Sequence, residues 1–135
     1  MKTVFLQGAF DLLNAGHVRA LSLAKQHGDK LVVGLNSDSL MRWYKREPIV
    51  PFKQRREILR AIRYVNEVIE CHEPSALRYL QRFNADVYIL TTEWEQQQQE
   101  AIAWIKSKGG RVVFSPRWKD IYDSTTIRAR VRGET

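Results

Sequence analysis

A single cysteine, Cys71, in 135 residues excludes an intrachain disulfide and any C-x-x-C redox or zinc pair, and makes a reducing cytoplasm the simplest compartment. Long hydrophobic runs are also missing. Leu31-Val32-Val33 and Val87-Tyr88-Ile89-Leu90 are strand-sized, so neither a membrane span nor a signal-peptide core is expected. No residues fall at metal-ligand spacing. Acidic residues are in the minority, fifteen Asp and Glu against twenty-two Lys and Arg, for a net charge of +7. That field favours anionic partners, with nucleic acid, nucleoside triphosphates and phosphorylated metabolites all qualifying. The chain has no RNP-type or recognition-helix motif and no basic stretch interleaved with aromatics, which makes nucleic acid the weakest of these. With 44% apolar and 27% charged residues, the length fits one domain over residues 1–135, large enough to fold without a structural metal.

What is present alternates between two periods. Thr3 to Leu6 reads as a strand, and Gly16 to His27 as a helix with Val18, Leu21 and Ala24 on one face. Leu31 to Leu35 is a second strand and Ser37 to Trp43 a short helix. After Pro48 and Pro51, Lys53 to Arg63 puts Ile58, Leu59 and Ile62 on a stripe. Val65 to Ile69 is the third strand. The segment Ala76 to Phe83, with Leu77, Leu80 and Phe83, reads as a helix before strand Val87 to Leu90. A further helix, Glu95 to Lys108, has Ala101, Ile102 and Ile105 inward and ends at Gly109-Gly110 before strand Arg111 to Phe114. Its glutamines, Gln96 to Gln99, read as solvated surface. Ser124 is placed to N-cap a last helix. The pattern predicts an α/β fold, a single Rossmann-like doubly wound sheet of five parallel strands, with ligand beyond the carboxyl ends of the strands.

The loop after the first strand carries the unusual chemistry. It reads Gly8-Ala9-Phe10-Asp11-Leu12-Leu13-Asn14-Ala15-Gly16-His17. Gly8 allows close backbone approach to a ligand, Gly16 opens the amides of a helix start to phosphate, and His17 sits in the first turn, where the dipole lowers its pKa. The spacing is neither a dinucleotide fingerprint nor a Walker A loop.

Together with Ser124-Thr125-Thr126 and Arg128 near the end, this loop resembles the nucleotidyltransferase superfamily marked by HxGH and a late Ser-Thr motif. It is most similar to the cytidylyltransferase-like branch around glycerol-3-phosphate cytidylyltransferase. Gly28-Asp29, Asp38, Arg55, Ile62 to Val65, Glu67 to Ile69, Trp94-Glu95 and Pro116-Arg117 extend the similarity over nearly the whole chain. Heptose-phosphate adenylyltransferases share Ala15 to Val18 and Asn36 to Asp38. The resemblance implies the nucleotidyltransferase fold and attack by a substrate phosphate oxygen on the α-phosphorus of CTP, or alternatively ATP, with release of pyrophosphate. It also implies Mg²⁺ carried with the triphosphate and a homodimer. Under it, His17, Asn14, Arg117, Lys45 and Arg46 are the catalytic donors and cations. Gly8, Ala9, Phe10, Asp11, Gly16, Asp38, Arg63, Thr91, Glu93, Ser124, Thr125 and Thr126 bind nucleotide, while Arg55 and Trp94 face the phosphorylated acceptor.

Several residues depart from the family pattern. Ala9 replaces a threonine, Asn14 the first histidine of HxGH, Tyr44 a lysine, and Thr91-Thr92-Glu93 a Gly-Asp-Asp. Ala9, Asn14 and the Thr91-Thr92-Glu93 loop motivate a second hypothesis, a catalytically impaired nucleotide-binding module. Plainer structural readings also stand beside the functional ones: Asp38 as a helix cap, Trp94 as core, the Arg55 to Arg63 segment as a solvated basic face, and Ser124 as a cap alone.

Overall fold

The computed structural model of the chain describes residues 1–115 and 124–133. Its elements are β1 (Thr3–Gly8), α1 (Ala15–Lys25), β2 (Lys30–Asn36), α2 (Asp38–Tyr44), α3 (Phe52–Arg60), β3 (Glu67–Cys71), α4 (Leu77–Phe83), β4 (Val87–Thr91), α5 (Gln99–Ser107), β5 (Arg111–Ser115) and α6 (Ser124–Val131). Two short 3-10 turns, Thr92–Trp94 and Gln96–Gln98, separate β4 from α5. All strand pairs are parallel, in the order β3-β2-β1-β4-β5. The expected doubly wound sheet is therefore present. Its order reverses between β1 and β4, and a ligand crevice opens at such a switch point, outside the carboxyl ends of those strands.

Alternation along the central strands divides the core in two. Phe5, Val32, Ile69, Cys71, Tyr88 and Leu90 face Tyr79 and Leu80 of α4 and Ala101, Ile102 and Ile105 of α5. Val4, Leu31, Val33, Leu35, Val68, Val87 and Ile89 face Leu21 and Ala24 of α1 and Leu59 of α3. Burying both faces of the sheet gives the near-continuous apolar runs of β2 and β4. Burial also pushes the Cys71 thiol up to about 12, so it is an inert core group. Among the described residues no helix is long and apolar enough to cross a membrane.

Some expected details shift. Val18 is 38% exposed and Ile58 46% exposed; Gly16 is buried in α1 where Val18 was expected, and of the expected α3 stripe Leu59 and Ile62 pack inward, joined by Phe52. The third strand begins two residues later than expected, at Glu67, because the chain first turns through Ile62–Val65. Gln98 is buried, contrary to the reading of the glutamine run as surface. Its Oε1 accepts from the Ala76 N–H at 3.0 Å and its Nε2 donates to the Pro74 carbonyl at 2.7 Å, fixing the entry to α4.

Candidate active site

The β1–α1 loop is built around its own side chains. Phe10 and Leu12 hold left-handed backbone, φ 51° and 54°, a conformation that costs a non-glycine residue of order 1–3 kcal/mol and persists only where packing imposes it. Phe10 is buried, with its ring 5.4 Å from the His17 ring. A Cβ on Gly8 would stand 2.9 Å from the Phe10 ring. Gly8 therefore makes room for Phe10, a packing reason for a glycine here beside the expected approach of a ligand.

Asn14 caps α1. Its Oδ1 accepts from the Gly16 N–H at 2.9 Å and its Nδ2 donates to the Leu12 carbonyl at 3.0 Å. The Asn14 backbone N–H in turn donates to His17 Nδ1 at 3.1 Å, closing a reciprocal capping box in which a histidine fills the usual glutamate position. The Gly16 amide is thus already engaged. Because Nδ1 accepts, the ring proton resides on Nε2, which is left to donate. Burial, followed by the nearby Lys45 charge and opposed by Asp11, lowers the His17 pKa to about 4. At neutral pH His17 is an uncharged donor whose direction is fixed by the cap.

Asp11 was expected to meet nucleotide, and the structure gives it another task. Its Oδ2 accepts from Arg46 and from the Ile49 N–H, both at 2.8 Å, and its Oδ1 from the Val50 N–H at 2.9 Å. Burial alone would raise this carboxyl, but the two backbone donors and Arg46 outweigh it and hold the pKa below the ordinary value. Asp11 therefore anchors the segment after α2 to the β1–α1 loop. Arg46 is oriented by that bond and by a second from the same nitrogen to the Glu47 carbonyl, 2.9 Å. Its Nε and other terminal nitrogen are buried without a hydrogen-bond partner. Unpaired guanidinium N–H groups of this kind are costly in a folded protein and fit an anion's oxygens.

Arg55 corrects the expectation of an acceptor contact, as well as the plainer one of a solvated face. Its side chain is 0% exposed. It donates to the carbonyls of Val50 (2.8 Å), Ala9 (2.7 Å) and Asn36 (2.9 Å) and to Asp38 Oδ1 (2.6 Å). One guanidinium thus ties together the ends of β1 and β2, the start of α2 and the loop before α3. Asp38 is correspondingly occupied, its other oxygen accepting from the Phe52 N–H at 3.3 Å. The cap of α2 is Ser37 and not Asp38.

Arg63 is the clearest displacement. It follows α3 and precedes β3, at the amino edge of the sheet, where it stacks on Tyr64 (5.1 Å) and donates to its hydroxyl. Within one chain it is on the opposite edge from His17. Lys45 is exposed beside the loop. Thr91 ends β4 alongside Ser115 of β5, and Glu93 is exposed on the following turn. Trp94 is 41% exposed, so it is not core, and it meets Tyr44 edge-on at 6.0 Å. Thr125 is exposed in α6 and accepts from Arg128 at 3.2 Å. Arg117 and the side chains of Ser124 and Thr126 lie outside the described residues.

Sequence reasoning missed Gln7 and Asn36, the polar residues near the ends of two adjacent apolar strands. That pairing of positions was the available signal. Gln7 Nε2 donates to Asn36 Oδ1 and to the Glu73 carbonyl, both at 2.9 Å, and Asn36 Nδ2 donates to the Tyr44 hydroxyl at 3.0 Å.

A family model described as cytidylyltransferase-like matches residues 5–133. The chain is 34% identical over 134 residues to glycerol-3-phosphate cytidylyltransferase of Bacillus subtilis, covering 98% of this chain and 99% of that protein. It is 32% identical over 133 residues to the bifunctional protein HldE of Hydrogenovibrio crunogenus, covering 97% of this chain but 28% of that protein. The chain thus spans about a quarter of the HldE proteins it matches. Among solved structures, the lipopolysaccharide core biosynthesis protein from Thermoplasma volcanium aligns with a TM-score of 0.73 and 28% identity, over 91% of this chain and 99% of that one.

Proposed function

From the premise that this chain belongs to the cytidylyltransferase-like family, we propose that it is a nucleotidyltransferase. In this reading it transfers a nucleoside monophosphate from CTP to a small phosphorylated alcohol, glycerol 3-phosphate first among them, and releases pyrophosphate. A phosphate oxygen of the acceptor forms the new bond to the α-phosphorus as the bond to the β-phosphate oxygen breaks. The reaction needs positioning and charge stabilisation more than a general base.

The observation that carries this reading is the neutral His17, its Nε2–H left to donate by the Asn14 cap, on the same loop that holds Arg46 by Asp11 with two guanidinium nitrogens unpartnered. His17 serves oxygens whose charge grows during transfer. Arg46, with Lys45, holds the triphosphate, and Arg117 and the Ser124 to Thr126 segment are proposed to add further donors. Asn14 acts through His17 as a positioning residue. Mg²⁺ is proposed only as the companion of the triphosphate. Both Asp11 oxygens are taken, and among the described residues no three His, Cys, Asp or Glu side chains converge into a metal cage, so no step is derived through the ion. A homodimer and a cytoplasmic location complete the proposal. The exposed Trp43 and Ile49 give the dimer an apolar surface to cover, and the molecular mass in solution checks it.

The similarity to HldE favours a second reading, an ATP-using adenylyltransferase of a sugar phosphate. A pyrophosphate-release assay with CTP and ATP, each against a panel of polyol and sugar phosphates, decides between them. Turnover with CTP and glycerol 3-phosphate is expected. Triphosphate binding without turnover across the panel overturns the transferase reading in favour of an impaired nucleotide-binding module, the alternative that Ala9 and Asn14 raise.

A further inference from the structure

Beside the phosphate-facing groups lies a second polar cluster that they do not use. The Glu73 carbonyl can only accept, so it fixes the Gln7 amide with Nε2 toward it. Gln7 Nε2 in turn fixes Asn36 with Oδ1 toward Gln7 and Nδ2 toward Tyr44. Two consequences follow at the ends of this chain of bonds. Gln7 Oε1 is buried and has no hydrogen-bond partner, an orphan acceptor in a protein interior where such groups are nearly always paired. The Tyr44 oxygen already receives a bond from Asn36, so its own proton is free to be given. Burial raises the Tyr44 pKa, which keeps that proton in place at neutral pH. Trp94, reaching across from β4, closes the cluster with a half-exposed aromatic face.

We infer that Gln7, Tyr44 and Trp94 form the seat of the uncharged, hydroxyl-bearing part of the acceptor, and so select polyhydroxylated phosphates over plain alkyl phosphates. The chemistry of the pair dictates this class. A phosphate or carboxylate oxygen cannot satisfy Gln7 Oε1, because neither has a proton to give. An ammonium cannot take the Tyr44 proton. A hydroxyl does both at once, and neighbouring hydroxyls on a carbon chain can divide the two tasks while their C–H faces lie on Trp94. Gln7 Oε1 is already unpaired, so a ligand that brings a hydroxyl to it removes a standing cost, and a ligand without one gains nothing there. Gln7 and Tyr44 are specificity-determining residues in this scheme.

The inference rests on the transferase reading for the word acceptor, but its test does not need turnover. Calorimetric titration of the whole chain, with an α,β-methylene triphosphate present, compares glycerol 3-phosphate with propyl phosphate, two ligands whose phosphate contacts are shared. Glycerol 3-phosphate is expected to bind at least ~30-fold more tightly, the order expected when one buried polar group is left unpaired by the deoxy analogue. Tyr44→Phe keeps the ring against Trp94 and is expected to bring the ratio below ~5-fold by weakening only the hydroxylated ligand, with triphosphate affinity unmoved. Gln7→Met is expected to do the same. Equal binding of the two phosphates, no binding of either, or a preference that survives both variants overturns the inference. Absence of pyrophosphate release with the selectivity intact overturns the transferase reading instead, and leaves the seat standing.

Discussion

The two edges of the sheet are made from the same strands, yet they treat polar groups in opposite ways. At the amino edge loops are tied off by their own side chains. Asp29 accepts from the Lys2 N–H, Asp86 from the Thr3 N–H and Asn66 from the Leu31 N–H, and Lys108 Nζ donates to Asn84 and to the Ala85 carbonyl. The left-handed residues described on that edge are Gly109 and Asn84, types that tolerate the conformation at a helix end. At the carboxyl edge Phe10 and Leu12 are strained, and Gln7 Oε1 and two Arg46 nitrogens lack partners. Among the described residues, unmet hydrogen bonding and backbone strain gather at the carboxyl edge, where the ligand is proposed to bind, while the opposite edge ties off its polar groups.

The sharpest way to break the contrast is Arg55→Leu. It removes the buried cation that holds three carbonyls and Asp38 on the carboxyl edge, and is expected to cost about 3–5 kcal/mol of stability in chemical denaturation, with activity lost as the loops separate. Next is His17→Ala. Turnover should fall by roughly 10²–10³, about 3–4 kcal/mol of transition-state stabilisation, with triphosphate affinity changed only a few-fold. Equal losses in both would remove His17 from the chemical step.

Acid then tests the same residue without mutation. Because His17 titrates at about 4 in the folded chain against 6.5 for the free side chain, the unfolded state binds more protons between those values. Stability therefore rises with pH across the window, is complete above 6.5, and is forfeited on acidification by up to about 3 kcal/mol. Asp11, whose carboxyl is depressed, adds its own loss only below its ordinary value of 3.8. A denaturation series from pH 7 to 4 should show the slope, and His17→Gln should flatten it. Smallest is Asp86→Ala on the amino edge, expected to cost about 1 kcal/mol by leaving the Thr3 N–H to water, with kinetic constants unchanged. A kinetic effect there would erase the functional difference between the edges.

How much of this was legible in the sequence depends on distance along the chain. Strand, glycines and His17 lie within fifteen residues, and their local chemistry pointed to the candidate site. The basic stretch around Arg55 read as a solvated face or an acceptor contact because its partners, Ala9, Asn36 and Asp38, are 46, 19 and 17 residues away. The anchoring role of Asp11 was hidden for the same reason, since Ile49 and Val50 bind it from 38 and 39 residues on. Gln98 looked like surface until α4 was folded against it.

By itself the chain determined the alternation of strand and helix segments, hence an α/β parallel sheet, and the presence of a histidine at the mouth of its first crossover. These follow from local spacing, which the backbone enforces residue by residue. Only the tertiary structure decided which polar groups are already satisfied and which are left with none. That depends on atoms brought within 3 Å from distant segments, and a buried hydrogen bond cannot be read from either of its ends alone.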